Sequence, residues 1–222
     1  MRPAALPKTG LFAARHRQAA ETRASILRAA ADLFAQAGLA GARTEAIASA
    51  ARVNKALLYY YFKSKDRLYS AVLEDHLEEF SRRATEILRA REPARAIVLR
   101  YVSMHFDFIS ARPYYPRLFQ RFMMSGGATF KSLAQKYFVP LGREFIGVIE
   151  RGKRSREFRN VDSTHAAISL VGLTVFYFVS APVTRLVGRV DPYAPENLAT
   201  RKKEVLDFIR YGLFREPESR LS

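Results

Sequence analysis

The 222-residue sequence predicts an all-α chain of about nine helices. Apolar residues recur at three- and four-residue spacing along almost its whole length, the mark of amphipathic helices. No Asn-Gly or Asp-Gly pair and no sustained period-two alternation announces a hairpin. Gly, Pro and short hydroxyl or acidic residues fall at the ends of the periodic stretches, where helices start and stop.

In order along the chain, Met1 to about Arg15 holds Pro3, Pro7 and Gly10 with Arg2, Lys8 and Arg15, and is expected to be a basic flexible arm ending near residue 19. Its apolar run is too short and broken for a secretory leader. Ile26, Leu27, Ala30, Leu33, Phe34 and Ala37 form one stripe of a first helix that Gly38 stops. Thr44, a good cap residue, opens a very short second helix with Ile47, Ala48 and Ala51 facing inward. A tight turn at Arg52, Val53 and Asn54 leads to a third short helix from about Lys55 to Tyr61. Ser64 is the expected cap of a long fourth helix from Lys65 to about Ala90.

Pro93 then opens a fifth helix with Ile97, Val98, Tyr101, Val102, His105, Phe108 and Ile109, and Pro113 closes it. A sixth spans about Tyr115–Met124 and ends at Gly126–Gly127. A seventh, about Thr129–Arg151, contains Pro140 and should kink there. An eighth begins near Asp162 and ends before Pro182; a ninth runs over about Glu196–Phe214. The break between the N-terminal and C-terminal parts falls inside the fourth helix, which should couple them.

Charge is the strongest global signal: Lys and Arg number 37 against 21 Asp and Glu, a formal +16. Such a field attracts phosphate polymers or anionic membrane surfaces. Twelve basic and four acidic residues fall within residues 1–69, a net +8 in under a third of the chain. There is no cysteine, so disulfides and thiolate metal sites are excluded, and a cytoplasmic location is natural. Ala166 to Thr184 carries no charge. A helix apolar all round is a membrane span or is buried in protein; Ser169, Gly172, Thr174, Ser180 and Pro182 dilute this one, favouring a core or dimer-interface helix and no membrane.

The informative block is Thr44 to Tyr69. Two short helices, a three-residue turn and the small residues Ala48 and Ala51 at the crossing describe a helix-turn-helix. Val53 plugs the turn, and Leu58 and Phe62 point back to the first helix. The other face of the third helix offers Lys55, Tyr59, Tyr60 and Tyr61. Tyrosine hydroxyls can bond phosphate oxygens and their rings can touch thymine methyls. Tyr59 and Phe62 serve equally well as partial core. Lys65, at the start of the fourth helix, could meet a phosphate together with the helix-terminal N–H groups.

These residues resemble the N-terminal domain of the TetR family of bacterial repressors. The likeness runs from Arg23, Ile26 and Leu27 through Ala30, Leu33, Phe34 and Gly38, then Ile47, Ala48, Ala51 and Val53, to Leu58-Tyr59-x-Tyr61-Phe62-x-Ser64-Lys65-x-x-Leu68. It covers roughly residues 20–80, leaving 81–222 as the ligand-sensing and dimerisation part. Arg52 departs from it, standing where the family often has Gly. The resemblance implies a ligand-responsive transcriptional regulator, a repressor, that binds a palindromic operator in double-stranded DNA as a homodimer. It implies that Thr44 caps the second helix and touches a phosphate. Lys55, Ala56 and Leu57 would open the recognition helix towards base edges, with Tyr59, Tyr60, Tyr61 and Lys65 along the backbone. Arg15 and Arg17 would either reach a groove or be solvated.

The family also binds a small-molecule effector among helices four to eight. Aromatic and Met residues are dense there, and the expected lining is Tyr101, His105, Phe108, Phe119, Phe122, Met123, Phe138, Phe176 and Tyr177, suited to an apolar or aromatic effector. Core packing is the competing use of each, and His105 can equally be a satisfied core histidine. No cofactor is expected. His16, His76 and His165 lack metal-binding spacing. Gly147 to Arg154 nearly spells a phosphate loop, but Arg154 stands where Ser or Thr should bind magnesium. With no Gly-x-Ser-x-Gly elbow, an enzyme such as an ester hydrolase is disfavoured; a membrane-surface protein using the +16 charge is the other rival.

Overall fold

A computed structural model describes residues 9–215. Their order is α1 (Thr9–Gly41), α2 (Thr44–Ala50), α3 (Lys55–Phe62), α4 (Lys65–Leu88), α5 (Ala94–Ser110), α6 (Tyr115–Ser125), α7 (Ala128–Leu133), a π-helical turn (Ala134–Phe138), α8 (Val139–Arg154), α9 (Ser163–Val179), α10 (Ala181–Gly188) and α11 (Pro195–Leu213). Strand pairing among the described residues is one antiparallel bridge, Phe158 with Phe214. The chain is all-α. It divides into two compact units, residues 1–74 and 75–222, and the division falls within α4.

In the first unit, Ile26, Leu27, Ala30, Ala31, Phe34 and Ala35 of α1 are buried with Ile47 and Ala48 of α2, Leu58 and Phe62 of α3, and Leu68 and Val72 of α4. The buried stripe of α1 sits slightly round from expectation, taking in Ala31 and Ala35 while Ala37 is exposed. Gly38 breaks the helix with φ of 70°, a conformation that suits a residue without Cβ. The expected arm over residues 1–19 is corrected from Thr9 onward, where α1 already runs; residues 1–8 lie outside the described part. No proline falls between Pro7 and Pro93, and Ala13, Ala14, Ala19 and Ala20 with Gln18 and Glu21 are strong helix formers.

In the second unit α5 is central. Ile97, Val98, Tyr101, Val102, Phe106, Phe108 and Ile109 pack with Phe80, Ala84 and Leu88 of α4, Leu141, Phe145, Val148 and Ile149 of α8, Leu170 and Phe178 of α9, and Val205, Ile209 and Leu213 of α11. Glu157 stitches this core together. Its carboxylate accepts from the backbone N–H of Ala94 (3.2 Å) and Arg95 (2.9 Å) at the start of α5 and from the Ser155 hydroxyl (2.8 Å).

Two departures raise the helix count among the described residues from the expected nine to eleven. The expected seventh helix is broken by the π-helical turn, in which the Val139 N–H reaches back to the Ala134 carbonyl. Pro140 then falls in the first turn of α8, where a missing N–H costs nothing. After α9, Pro182 opens α10 in the same way. No single described helix is long and apolar enough to cross a membrane; α9 and α10 pass that test only as a pair bent by 63°. The uncharged α9 buries Ser163, Ala167, Leu170, Thr174 and Phe178 on one stripe, while Ile168 and Phe176 stand exposed on another.

Candidate nucleic-acid interface and sensor interior

The turn between α2 and α3 is built from backbone bonds. Val53 N–H donates to Ala48 O (2.9 Å) and Arg52 N–H to Ser49 O (3.0 Å), the paired bonds of a Schellman close. That motif needs a left-handed residue at Arg52, which has φ of 56°. Asn54 caps α3, its side-chain oxygen accepting from Leu57 N–H at 2.7 Å. Ser64 serves α4 the same way, accepting from Arg67 N–H at 3.2 Å.

With Leu58 and Phe62 buried, the rest of α3 faces out. Lys55 and Ala56 are exposed, Leu57, Tyr59 and Tyr61 are half-buried, and Tyr60 is 68% exposed. The Tyr60 and Tyr61 rings meet edge to face at 5.5 Å, and the Lys63 ammonium lies 5.4 Å from the Tyr60 ring centre. The Tyr59 hydroxyl is 3.5 Å from Thr44 Oγ1, so Tyr59 is part anchor and part surface.

Three predicted residues are engaged in ways the sequence did not disclose. Thr44 is not the cap of α2: Arg43 occupies that position, and Thr44 is buried inside the first turn. Its hydroxyl is taken up by Tyr59 and Glu45, which is why it does not cap. Lys55 forms an ion pair with Glu45. The hydrogen bond and charge of each raise the Lys55 ammonium above its ordinary pKa and lower the Glu45 carboxyl below its own. The Lys65 ammonium donates to the carbonyls of Ala40 (3.2 Å) and Ala42 (3.3 Å), beside the end of α1. Glu45 is the residue the sequence reading missed; its signal was an acid at the first turn of α2, in a segment otherwise basic. Arg15 and Arg17 are exposed on α1.

Of the expected sensor lining, Tyr101, His105, Phe108 and Phe122 are buried, and Phe119 and Phe138 partly so. Phe119 stands 5.6 Å from Tyr115, 5.8 Å from Phe138 and 6.5 Å from Phe122, ring centre to ring centre. Met123 and Phe176 are corrected to the surface, at 47% and 69% exposure. Met123 lies about 100° round α6 from buried Phe122, and Phe176 lies about 160° round α9, on the opposite side, from both buried Thr174 and buried Phe178. Tyr177 is half-buried and its hydroxyl donates to Pro192 O at 2.9 Å, a structural use. No group of three or more metal-ligating side chains occurs among the described residues.

The helix-turn-helix geometry agrees with comparison to known proteins. Residues 26–72 match the family model described as bacterial regulatory proteins, tetR family, and residues 93–209 match the tetracyclin repressor-like C-terminal domain. The chain belongs to the TetR family. Among TetR-type relatives, it is 30% identical over 176 residues to the HTH-type transcriptional repressor NicS of Pseudomonas putida, covering 77% of this chain and 80% of that one. It is 29% identical over 200 residues to the HTH-type transcriptional regulator RutR of Escherichia coli, covering 88% and 94%. The fold is similar to that of the transcriptional regulator FadR from Bacillus subtilis in complex with stearoyl-CoA, with a TM-score of 0.66 at 18% identity over 83% of this chain and 96% of that one. This TetR-family chain is a DNA-binding transcriptional regulator, and not an enzyme.

Proposed function

We propose that the chain is a homodimeric repressor that binds a palindromic operator and is released from it by a small apolar or aromatic effector. The observation that carries this reading is α3 itself. An eight-residue helix anchored by Leu58 and Phe62 presents Lys55, Ala56, Tyr60 and Tyr61 outward. Aromatic rings and a cation on so short a helix suit a major groove and its flanking phosphates. Lys65 would add a backbone contact, and the phosphate contact expected of Thr44 would require its hydroxyl to leave Glu45.

Dimerisation is supported by apolar residues without cover. Ile168 and Phe176 on α9, Phe208 and Tyr211 on α11, and Val183, Leu186 and Val187 on α10 are each more than half exposed. A surface of that kind usually marks an interface. A two-fold pairing of these helices would place two recognition helices about 34–36 Å apart, one turn of DNA. The stearoyl-CoA bound by FadR is consistent with an apolar effector here. Because α4 runs across the division between the two units, an effector favouring one arrangement of the pair would shift the population away from DNA.

The test is fluorescence anisotropy of the purified protein against double-stranded fragments flanking its own gene, at several salt concentrations. Nanomolar affinity that falls steeply with salt is expected. Absence of any salt-sensitive duplex affinity would refute the reading, and sedimentation as a monomer at micromolar concentration would refute its homodimer.

A further inference from the structure

We infer that the interior of the second unit is a receptor for an uncharged hydroxyaromatic molecule, of the phenol class, held by the Tyr101 and Tyr115 hydroxyls and by His105 Nε2. This deepens the sensor reading above and rests on it.

The three side chains are all more than nine-tenths buried, with 3%, 8% and 7% of their surface exposed. No described protein group hydrogen-bonds to either hydroxyl or to Nε2. Arg201 Nε is the sole described side-chain nitrogen or oxygen that is both sealed and without a partner. Neither hydroxyl nor Nε2 belongs with that sealed nitrogen: each lacks a protein partner without being fully closed off, and so is left for a bound group to answer.

Their hydrogen-bonding characters follow from the structure. The Thr174 hydroxyl donates its one hydrogen to Val171 O at 2.8 Å. It must then accept from His105 Nδ1, also 2.8 Å away, which puts the imidazole proton on Nδ1 and a lone pair on Nε2. Burial lowers the His105 pKa to about 4, so the ring is neutral. Burial likewise raises the Tyr101 and Tyr115 hydroxyls, which stay protonated donors. Aromatic rings join these groups into one cage: Phe80 lies 5.1 Å from His105, 6.4 Å from Tyr101 and 5.3 Å from Phe108, and Phe108 lies 5.7 Å from Tyr115.

The cage selects a chemistry. A hydrocarbon would leave two donors and one acceptor unanswered. A carboxylate would need a cation, but the nearby Arg112 is committed to Glu79 (2.6 Å) and to Phe108 O (3.2 Å). A hydroxyl on a flat ring meets both demands, donating to Nε2 while accepting from a tyrosine, with its body against the phenylalanines.

Calorimetric titration of the full-length protein with p-cresol, 4-methylanisole, toluene and 4-methylbenzoate tests this. p-Cresol should bind at least about tenfold tighter than the other three, the equivalent of about 1.4 kcal/mol. Tyr101→Phe and Tyr115→Phe remove hydroxyls that hold nothing in the protein. Both should keep the circular dichroism spectrum, lose about tenfold in p-cresol affinity and bind toluene as before. Equal binding of p-cresol and toluene, preference for 4-methylbenzoate, undiminished p-cresol binding by both variants, or no binding by any of the four overturns the proposal. If a variant fails to fold, the ranking of the four ligands in the unaltered protein decides. Operator affinity measured on the same preparation separates the two failures: protein that binds DNA but not phenols remains a regulator with a different effector.

Discussion

The ammonium of Lys55, the first residue of α3, is ion-paired to the carboxylate of Glu45 in the first turn of α2. Both ends are more than half exposed, so the pair is screened and adds little stability. Its consequence is for recognition. A lysine favours guanine O6 and N7, and the Glu45 carboxylate competes with DNA for that ammonium while adding a negative charge that repels phosphate. Glu45→Ala should strengthen binding to all duplexes and steepen the salt dependence by about one unit of slope. Lys55→Ala should instead relax preference at particular base pairs. Competition anisotropy over a set of operator variants distinguishes these, and a uniform loss for Lys55→Ala would make Lys55 a backbone contact.

Lys65 has two employers. Its bonds to Ala40 and Ala42 hold the end of α1, leaving one of its three N–H donors for a phosphate. Lys65→Ala should lower stability by about 1 kcal/mol and reduce the salt slope of DNA binding by about one unit. Denaturant melts and salt titrations read the two effects separately; a lowered melt with an unchanged slope would assign Lys65 to the fold alone.

Arg52 occupies the left-handed corner after α2 with φ of 56°. A non-glycine residue pays a steric penalty there of about 1 kcal/mol. Arg52→Gly should therefore stabilise the first unit by about 0.5–1 kcal/mol, seen as a higher urea midpoint. A lower midpoint would show that the arginine side chain holds the turn.

Gly152 is pressed against Phe158. A Cβ at position 152 would come within 2.3 Å of two Phe158 ring carbons, and that ring is 1% exposed and stacked on Phe214 at 5.3 Å. The ring has nowhere to go, so Gly152→Ala should cost about 1–3 kcal/mol by chemical denaturation. A neutral result would mean that the Phe158–Phe214 clasp yields easily.

Glu157 gives the second unit an acid-sensitive joint. Partial burial acts to raise its pKa, but the N–H groups of Arg95 and Ala94, the Ser155 hydroxyl and the Arg95 charge outweigh it, so the net shift is downward. A carboxyl depressed on folding adds stability that is present above its unfolded pKa of about 4.3 and is lost as pH falls through the lower folded value. Glu157→Gln should cost about 1–2 kcal/mol at neutral pH, and the gap from the natural protein should shrink below about pH 4. A gap constant with pH would show that the carboxylate charge plays no part.

What sequence alone determined is what local chemistry controls. Helical periodicity, Gly38 as a stop, Ser64 as a cap, a helix start near Asp162, and the inward set of Leu58 and Phe62 depend on neighbours within a few residues, so they could be read without coordinates. The helix-turn-helix was legible because its spacing is itself local. Tertiary structure decided which polar group meets which. Glu45 finds Lys55 across the turn, Lys65 reaches back to Ala40, Glu157 caps α5 from some sixty residues away, and Thr174 dictates the His105 tautomer across 69 residues. It also decided that Met123 and Phe176 face outward while Phe122 lies inside. An aromatic residue has nearly the same hydrophobic reason to be buried wherever it falls; the packing of distant helices against one another selects the ones that are.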